Sequence, residues 1–199
     1  MPKLRLAILA TLCLMIACSP RQFLTRRLAG TLIAGSEVFK TPQQYWLRTG
    51  VISNKDYTSP EYLVLQRHGW MTGAATPCPT TVAPPPCWDV ALTPLGVDTI
   101  RSLIPNNATP SSYFSVPVAR RQLVAVTGIS KNENFAEVDF VWKWTPLNEV
   151  GAALSPAGPQ YASTVEFKYY DDGWRLIEGN SAKTGHTLDD ALKNAEIVQ

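Results

Sequence analysis

The sequence has few of the side chains on which most enzyme chemistry depends. Its two histidines, His68 and His186, have no catalytic partner that the sequence identifies. It contains no Gly-x-Ser-x-Gly, phosphate-binding glycine loop, His-Glu-x-x-His or dinucleotide fingerprint. The paired acids at 171–172 and 189–190 are explained by a hairpin turn and by a helix N-terminus. We therefore predict that the protein is not an enzyme and has no catalytic residue, cofactor or metal site.

The chain also lacks an excess of charge of either sign. Its formal net charge is +2, and the first 17 residues contribute Lys3 and Arg5 but no acid. Without that segment, the chain has 16 basic and 16 acidic residues. Because neutralisation of phosphates by Lys and Arg dominates nucleic-acid affinity, we predict no nucleic-acid partner.

The apolar segment at the N-terminus is too short to cross a bilayer. It covers residues 6–17, whereas a spanning helix needs about 20 apolar residues. Lys3 and Arg5 precede the segment, and Ala17 ends it directly before Cys18. A cationic start, an apolar core and a small residue at the cut are the three parts of a secretory signal. We predict a signal peptide over residues 1–17.

Residues 14–18, with the sequence Leu-Met-Ile-Ala-Cys, resemble the lipobox of bacterial lipoproteins. Ala17 fits the small residue before the modified cysteine, although Met15 is a less usual occupant three positions before it. The resemblance implies a diacylglycerol on Cys18 and a further acyl chain on its amine, which together anchor a protein firmly. Ser19 stands where enterobacterial inner-membrane lipoproteins carry aspartate, so we expect the outer membrane, with the protein facing the periplasm. Plain secretion and an uncleaved anchor are the alternatives.

Two cysteines remain after processing. Cys13 lies in the signal peptide and Cys18 would be lipidated, which leaves Cys78 and Cys87 on one proline-rich loop of an exported chain. A metal site would need more ligands than two thiolates, and redox pairs usually sit two residues apart at a helix start. We therefore predict a Cys78–Cys87 disulfide. Closing this loop lowers the conformational entropy of the unfolded chain and so stabilises the folded protein by about 2–3 kcal/mol.

Patterns in the first half of the chain predict three helices and one strand. Apolar residues recur at helical spacing over residues 23–35. A Ser-Pro and a Thr-Pro pair, each with a capping hydroxyl before the proline, open helices over 59–69 and 93–103. Residues 88–92 alternate between apolar and polar side chains, as a strand does.

These elements resemble a winged-helix module. The resemblance is carried by residues 65–71, where a helix ends in a Gly-hydrophobic pair, and by the Leu-Thr-Pro-Leu-Gly step at 92–96. It implies a helical, winged-helix-like region over residues 23–104. Residues 74–86, which would form the wing, carry no Lys or Arg. The resemblance therefore implies a module that contacts protein rather than one that reads DNA.

The second half of the chain contains the strongest strand pattern. Over residues 135–144, one face is apolar and the other is charged, so one face is expected to be buried. The apolar face consists of Ala136, Val138, Phe140, Trp142 and Trp144, and the charged face of Glu137, Asp139 and Lys143. Residues 121–129, 161–170 and 174–178 are predicted as further strands, with Gly173 supplying a positive φ in the turn between the last two. Short helices are expected over 146–154 and 188–198.

Together these patterns predict an α+β fold in which a helical, winged-helix-like half precedes a curved antiparallel sheet with flanking helices. The strand order over residues 113–180 resembles that of cystatin-like and NTF2-like sheets. The expected organisation is a signal peptide (1–17), a lipidated tether (18–22), the helical region (23–104) and the sheet region (105–199). Whether the two regions form one domain or two is left open.

Aromatic residues on the predicted sheet give the one candidate binding face. They are Phe140, Trp142, Trp144, Tyr169 and Trp174, with Tyr170 beside them. Core packing explains such a set, and an aromatic-lined concave face that holds an apolar ligand is the other interpretation. Trp46 and Trp70 are assigned to the local core of the first half. The favoured function is a membrane-anchored, non-enzymatic lipoprotein that contacts an envelope protein, and the alternative is a binder of a small apolar ligand. The oligomeric state is not predicted.

Overall fold

A computed structural model describes residues 23–79, 85–103, 113–155, 158–177 and 187–198. The predicted signal peptide, the predicted lipidation site at Cys18 and His186 lie outside the described residues. The chain divides into two compact units. The described part of unit 1 consists of residues up to Val38, Leu123–Val141 and Tyr161–Ile197, and unit 2 of Phe39–Gln122, Trp142–Gln160 and Val198.

The described residues form more strand than helix. The strands are β1 (Gln43–Arg48), β2 (Gly50–Ser53), β3 (Met71–Thr76), β4 (Cys87–Leu92), β5 (Tyr113–Asn132), β6 (Phe135–Pro146), β7 (Gln160–Tyr170), β8 (Gly173–Leu176) and β9 (Glu196–Val198). The helices are α1 (Arg26–Gly35), α2 (Glu37–Lys40), α3 (Asn54–Tyr57), α4 (Pro60–Arg67), α5 (Pro94–Arg101), α6 (Glu149–Leu154) and α7 (Leu188–Lys193).

The strands form two sheets. The larger sheet has the order β1-β5-β6-β7-β8, with β9 paired to β7, and the smaller has the order β2-β4-β3. Strand β4 pairs antiparallel with both of its neighbours. The long strands β5 and β6 contribute residues to both units. The predicted turn between β7 and β8 is confirmed, because Tyr170 pairs with Gly173 and Gly173 has a φ of 130°.

Side-chain caps explain where several helices begin. Thr25 accepts a hydrogen bond from the Leu28 amide at 3.1 Å, and Thr93 accepts one from the Gly96 amide at 3.0 Å. Such caps satisfy amides that have no partner inside the helix. Ser59 precedes α4 as predicted, but its side chain makes no capping hydrogen bond. The proline that follows it favours the helix start instead, because it has no amide hydrogen to satisfy.

The predicted alternation along β6 is confirmed over most of its length. Its residues Ala136, Val138, Phe140 and Trp142 are buried, while Glu137 and Asp139 are exposed. At its end the alternation weakens, and Trp144 and Lys143 are both half-buried. The two-residue period therefore identified the buried face of this strand correctly.

The predicted α+β fold with a winged-helix-like first half is wrong. Residues 43–53 contain β1 and β2, which the sequence patterns did not predict, and β1 joins the larger sheet. Helix α1 packs within unit 1, where Ala29 and Ile33 are buried and Gly30 faces Leu123. Because α1 buries its apolar face against strand residues from the second half, the first half has no helical core of its own.

Unit 2 has a mixed core to which both sheets and the helices α4, α5 and α6 contribute. It contains Leu47, Ile52, Tyr62, Leu65, Trp70, Met71, Val90, Ile100, Val116, Val118 and Val150. Trp70 is therefore a core residue, as predicted. No helix within the described residues is long and apolar enough to cross a membrane.

Candidate functional site

The five aromatics that the sequence offered as a binding face fall into different compact units. Phe140, Tyr169 and Trp174 belong to unit 1, and Trp142 and Trp144 belong to unit 2. In unit 1, Tyr169 is paired with Trp174 across the β7–β8 hairpin, and their ring centroids lie 5.3 Å apart. Trp174 is buried, so this pair fills space rather than lining an open face.

Phe140 lines a cleft. The cleft, in unit 1, has a volume of about 400 Å³, and its lining is otherwise mainly polar or small. The lining includes Thr127, Asp139, Ala162, Ser163, Thr164, Asp190, Ala191, Asn194 and Glu196. Two of these residues are hydrogen-bonded to each other, since the Thr164 hydroxyl donates to Asp139 at 2.7 Å. This lining suits water better than it suits a large apolar ligand.

In unit 2, the two tryptophans of β6 are covered by a basic side chain. Trp142 and Trp144 meet edge to face with ring centroids 5.6 Å apart. The guanidinium carbon of Arg121 lies 4.5 Å from the Trp144 ring centroid and 5.7 Å from that of Trp142. Cation–π contact and packing account for this cluster without a ligand.

The predicted disulfide between Cys78 and Cys87 is confirmed. Their Cα atoms lie 5.2 Å apart, and the bond joins the end of the β3–β4 pair, where Thr76 is opposite Cys87. Cys87 is buried. The disulfide closes the proline-rich loop, which agrees with a structural role.

The structure describes one of the two histidines and shows no convergence of metal-binding side chains within the described residues. His68 follows the last residue of α4, and its ring stacks on Trp70 at 4.5 Å. Within the described ranges, no group of three or more His, Cys, Asp or Glu side chains is placed to hold a metal ion.

An exposed aromatic and basic surface lies on β1 and the start of β5, both in unit 2. Trp46, which we predicted in the local core, is 66% exposed, and Tyr113 is 52% exposed. In the antiparallel register, Trp46 is opposite Ser115 and Arg48 is opposite Tyr113. Strand residues two apart share a face, so Gln44, Trp46, Arg48, Tyr113 and Ser115 form one surface. We call these five residues the β1 surface.

Hydrogen bonds hold this surface in place. The hydroxyl of Ser115 donates to the side-chain carbonyl of Gln44 at 2.9 Å. The amide of Arg48 donates to the Tyr62 hydroxyl at 3.0 Å, and that hydroxyl donates to the Arg48 carbonyl at 2.7 Å. Burial raises the pKa of the Tyr62 phenol, so the hydroxyl keeps the proton that it donates.

Arg48 presents its charge on this surface. Its guanidinium carbon lies 5.4 Å from the Tyr113 ring centroid, and one guanidinium nitrogen lies 3.5 Å from the Val51 carbonyl oxygen. Within the described residues, Arg48 forms no ion pair with a carboxylate. A guanidinium held on an aromatic ring and free of a carboxylate is suited to bind one from a partner.

The sequence contained a signal for this surface that we did not use. In β1, Trp46 lies on the same face of the strand as Gln44 and Arg48, whereas Leu47 lies on the opposite face with Tyr45. Leu47 is buried and Trp46 is exposed, as a strand with one solvated face requires. Reading residues 43–48 as a strand would have placed Trp46 on the polar face.

None of the protein-family models, curated proteins and solved structures compared with the chain matches it.

Proposed function

We propose that the protein is a bacterial envelope lipoprotein whose exported part is a non-enzymatic module that binds another protein. In this proposal, acyl chains on Cys18 hold the protein at the envelope membrane, on the periplasmic side of the outer membrane. The lipobox-like residues 14–18 support the anchor. The exposed Trp46 on the β1 surface is the observation that supports the binding role.

The β1 surface has the composition of a protein-binding site. Trp, Tyr and Arg are the residues that most often dominate interface energy, and here the 66% exposed Trp46 shares a surface with the exposed Tyr113 and with Arg48. Strand β1 also stands at the end of the larger sheet's order, so within the described residues its outer edge pairs with no strand. Such an edge is a template for an added strand.

These features define the partner by its chemistry. We propose an extended segment of an envelope protein that pairs with the outer edge of β1, contacts the Trp46 ring and places a carboxylate on Arg48. The alternative, a binder of a small apolar ligand, has less support. Trp142 and Trp174 are buried, and Arg121 covers Trp144.

A site-specific crosslink tests the binding role. A photo-crosslinking amino acid at Gln44, on the same face as Trp46, is expected to capture one protein in intact envelopes, to be identified by mass spectrometry. Trp46→Ala should abolish this adduct, because truncation of a hot-spot tryptophan costs about 2 kcal/mol or more, a loss of about 30-fold in affinity. Leu63→Ala, which removes a partly exposed apolar side chain of unit 2 outside the surface, should leave the adduct unchanged.

Two outcomes would contradict the proposal. An adduct that survives Trp46→Ala would show that the surface does not provide the binding energy. An adduct with a second copy of this chain would show that the edge of β1 serves self-association rather than binding of another protein.

A further inference from the structure

One end of unit 1 combines basic and aromatic side chains. Lys131, near the β5–β6 turn, has its ammonium nitrogen 5.8 Å from the Phe23 ring centroid and 5.5 Å from that of Trp174. Trp174 is buried, so Lys131 rests on a fixed ring and next to the first described residue of the chain. This contact places Phe23 beside the β5–β6 turn.

The β7–β8 hairpin extends the same pattern. The Lys168 ammonium nitrogen lies 5.4 Å from the Phe135 ring centroid and 5.2 Å from that of Tyr170. The Arg175 guanidinium carbon lies 5.3 Å from the Tyr170 ring centroid. We call the set Phe23, Lys131, Phe135, Lys168, Tyr170 and Arg175 the cation–aromatic end of unit 1.

The exposed aromatic rings and the basic side chains of this end of unit 1 favour its binding to an anionic surface. Phe23 is 63% exposed and Tyr170 is 41% exposed. Arg26 and Arg27, both exposed, follow Phe23 in the chain. The acids of the two turns are Glu133, Asp171 and Asp172, of which Asp172 forms an ion pair with Arg175, and Glu137 follows Phe135 on the exposed face of β6. These four acids are outnumbered by the five basic residues at positions 26, 27, 131, 168 and 175.

The lipid anchor would lie close to this end. Phe23 follows Cys18 by five residues, and an extended chain of that length spans at most about 18 Å. Side chains that combine an aromatic ring with a nearby cation suit the head-group layer, where rings meet the acyl boundary and cations meet phosphates.

We propose that the cation–aromatic end of unit 1 rests on the anionic phospholipid head groups of the membrane that holds Cys18. This inference depends on the proposed lipid anchor and adds an orientation to it: unit 1 faces the membrane through its two hairpin turns. Each Lys or Arg near an anionic surface strengthens binding about fivefold, and the effect weakens as salt screens it.

Lysine labelling of the mature lipoprotein tests the proposal. The protein is reconstituted into vesicles of phosphatidylcholine, with or without phosphatidylglycerol, and treated with a water-soluble amine-acylating reagent. Acylation of Lys131 and Lys168, read by mass spectrometry, should be about fivefold slower on the anionic vesicles. Lys55 of unit 2, which is exposed, should react equally on both and serves as the control within the same molecule. Salt near 1 M, where the Debye length is about 3 Å, should remove the protection.

The same experiment separates this proposal from the anchor on which it depends. Flotation with the uncharged phosphatidylcholine vesicles reports the anchor, and failure to float would contradict the lipoprotein proposal. Flotation with equal acylation of Lys131, Lys168 and Lys55 on both vesicle types would leave the anchor intact and overturn the membrane-facing orientation.

Variants provide a second, quantitative test. A Cys18→Ser chain, exported behind an ordinary cleavable signal, gives the mature polypeptide without lipid. Its affinity for phosphatidylglycerol vesicles should fall about 25-fold in Lys131→Gln/Lys168→Gln, because two basic contacts are lost. The control Lys55→Gln/Arg67→Gln removes the same charge from exposed positions of unit 2 and should change the affinity less than about twofold. Equal losses in both variants would mean that net charge, and not this end of unit 1, governs binding.

Discussion

Replacing Phe140 with alanine should destabilise the protein strongly, because the ring is buried on the inner face of β6. Truncation of a core phenylalanine costs about 3–5 kcal/mol through lost transfer energy and the cavity left behind. Phe140 also lines the 400 Å³ cleft, into which water can extend once the ring is gone. We therefore expect the low end of the range, about 3 kcal/mol.

Urea unfolding of the disulfide-intact protein measures this loss. With an m-value of about 2 kcal/mol per molar urea, the Phe140→Ala midpoint should fall by about 1.5 M. Glu137→Ala, an exposed position on the opposite face of the same strand, should change stability by less than about 0.5 kcal/mol. Asp139→Ala should cost more than Glu137→Ala, because it removes the hydrogen bond from Thr164. Equal losses from Phe140→Ala and Glu137→Ala would refute the assignment of the two faces.

Three further predictions concern packing, pH and the disulfide. Gly151→Ala should destabilise the protein by more than about 2 kcal/mol in urea melts, because the added Cβ would lie 1.8 Å from a backbone carbonyl oxygen of β5. The control Gly35→Ala, whose added Cβ meets open space, should be neutral or stabilising. Equal effects of the two substitutions would contradict this packing. Burial raises the pKa of the Tyr45 phenol above that of an unfolded tyrosine, which is about 10. The free energy of unfolding should therefore keep its full value below pH of about 10 and fall as the pH rises through the raised pKa. Tyr45→Phe should reduce that alkaline loss, and an unchanged pH profile would count against it. Reduction of the disulfide should lower stability by about 2–3 kcal/mol in urea melts, and an unchanged midpoint would show that the loop closure contributes nothing.

Local patterns predicted the elements whose identity depends on near neighbours in sequence. The three helix positions, the β6 alternation and the β7–β8 turn each depend on a period or a cap within about ten residues. The disulfide followed from cysteine count and loop length. The structure has the three helices, the β6 alternation, the turn and the disulfide where these local patterns predicted them.

The arrangement of the strands and helices could not be predicted from local patterns, because it depends on which distant segments of the chain pair with each other. Nothing within residues 43–48 indicates that they pair with residues 113–119, about 70 positions later. The amphipathic pattern of α1 likewise does not say which surface covers Ala29 and Ile33. The winged-helix interpretation supplied a plausible local partner, and the real partner came from the second half of the chain.

The candidate site shows the same limit. Composition placed Trp46 in a core, since tryptophan is usually buried, and only the strand register shows that it shares a face with Gln44 and Arg48. Conversely, the aromatic residues of β6, β7 and β8 suggested a binding face, but most of them are buried or packed against a neighbouring ring within their unit. Exposure, rather than residue type, distinguishes a binding aromatic from a core aromatic.

The proposed function depends first on the lipid anchor at Cys18. The most direct test of this anchor is to extract the protein from membranes and measure the mass of its N-terminal peptide. The account predicts a peptide that begins at Cys18 and carries a diacylglycerol together with an N-linked acyl chain. Cys18→Ser should leave the precursor uncut and abolish incorporation of labelled fatty acid. An N-terminal peptide that still contains residues 1–17, or one that begins at an unmodified Cys18, would contradict the account.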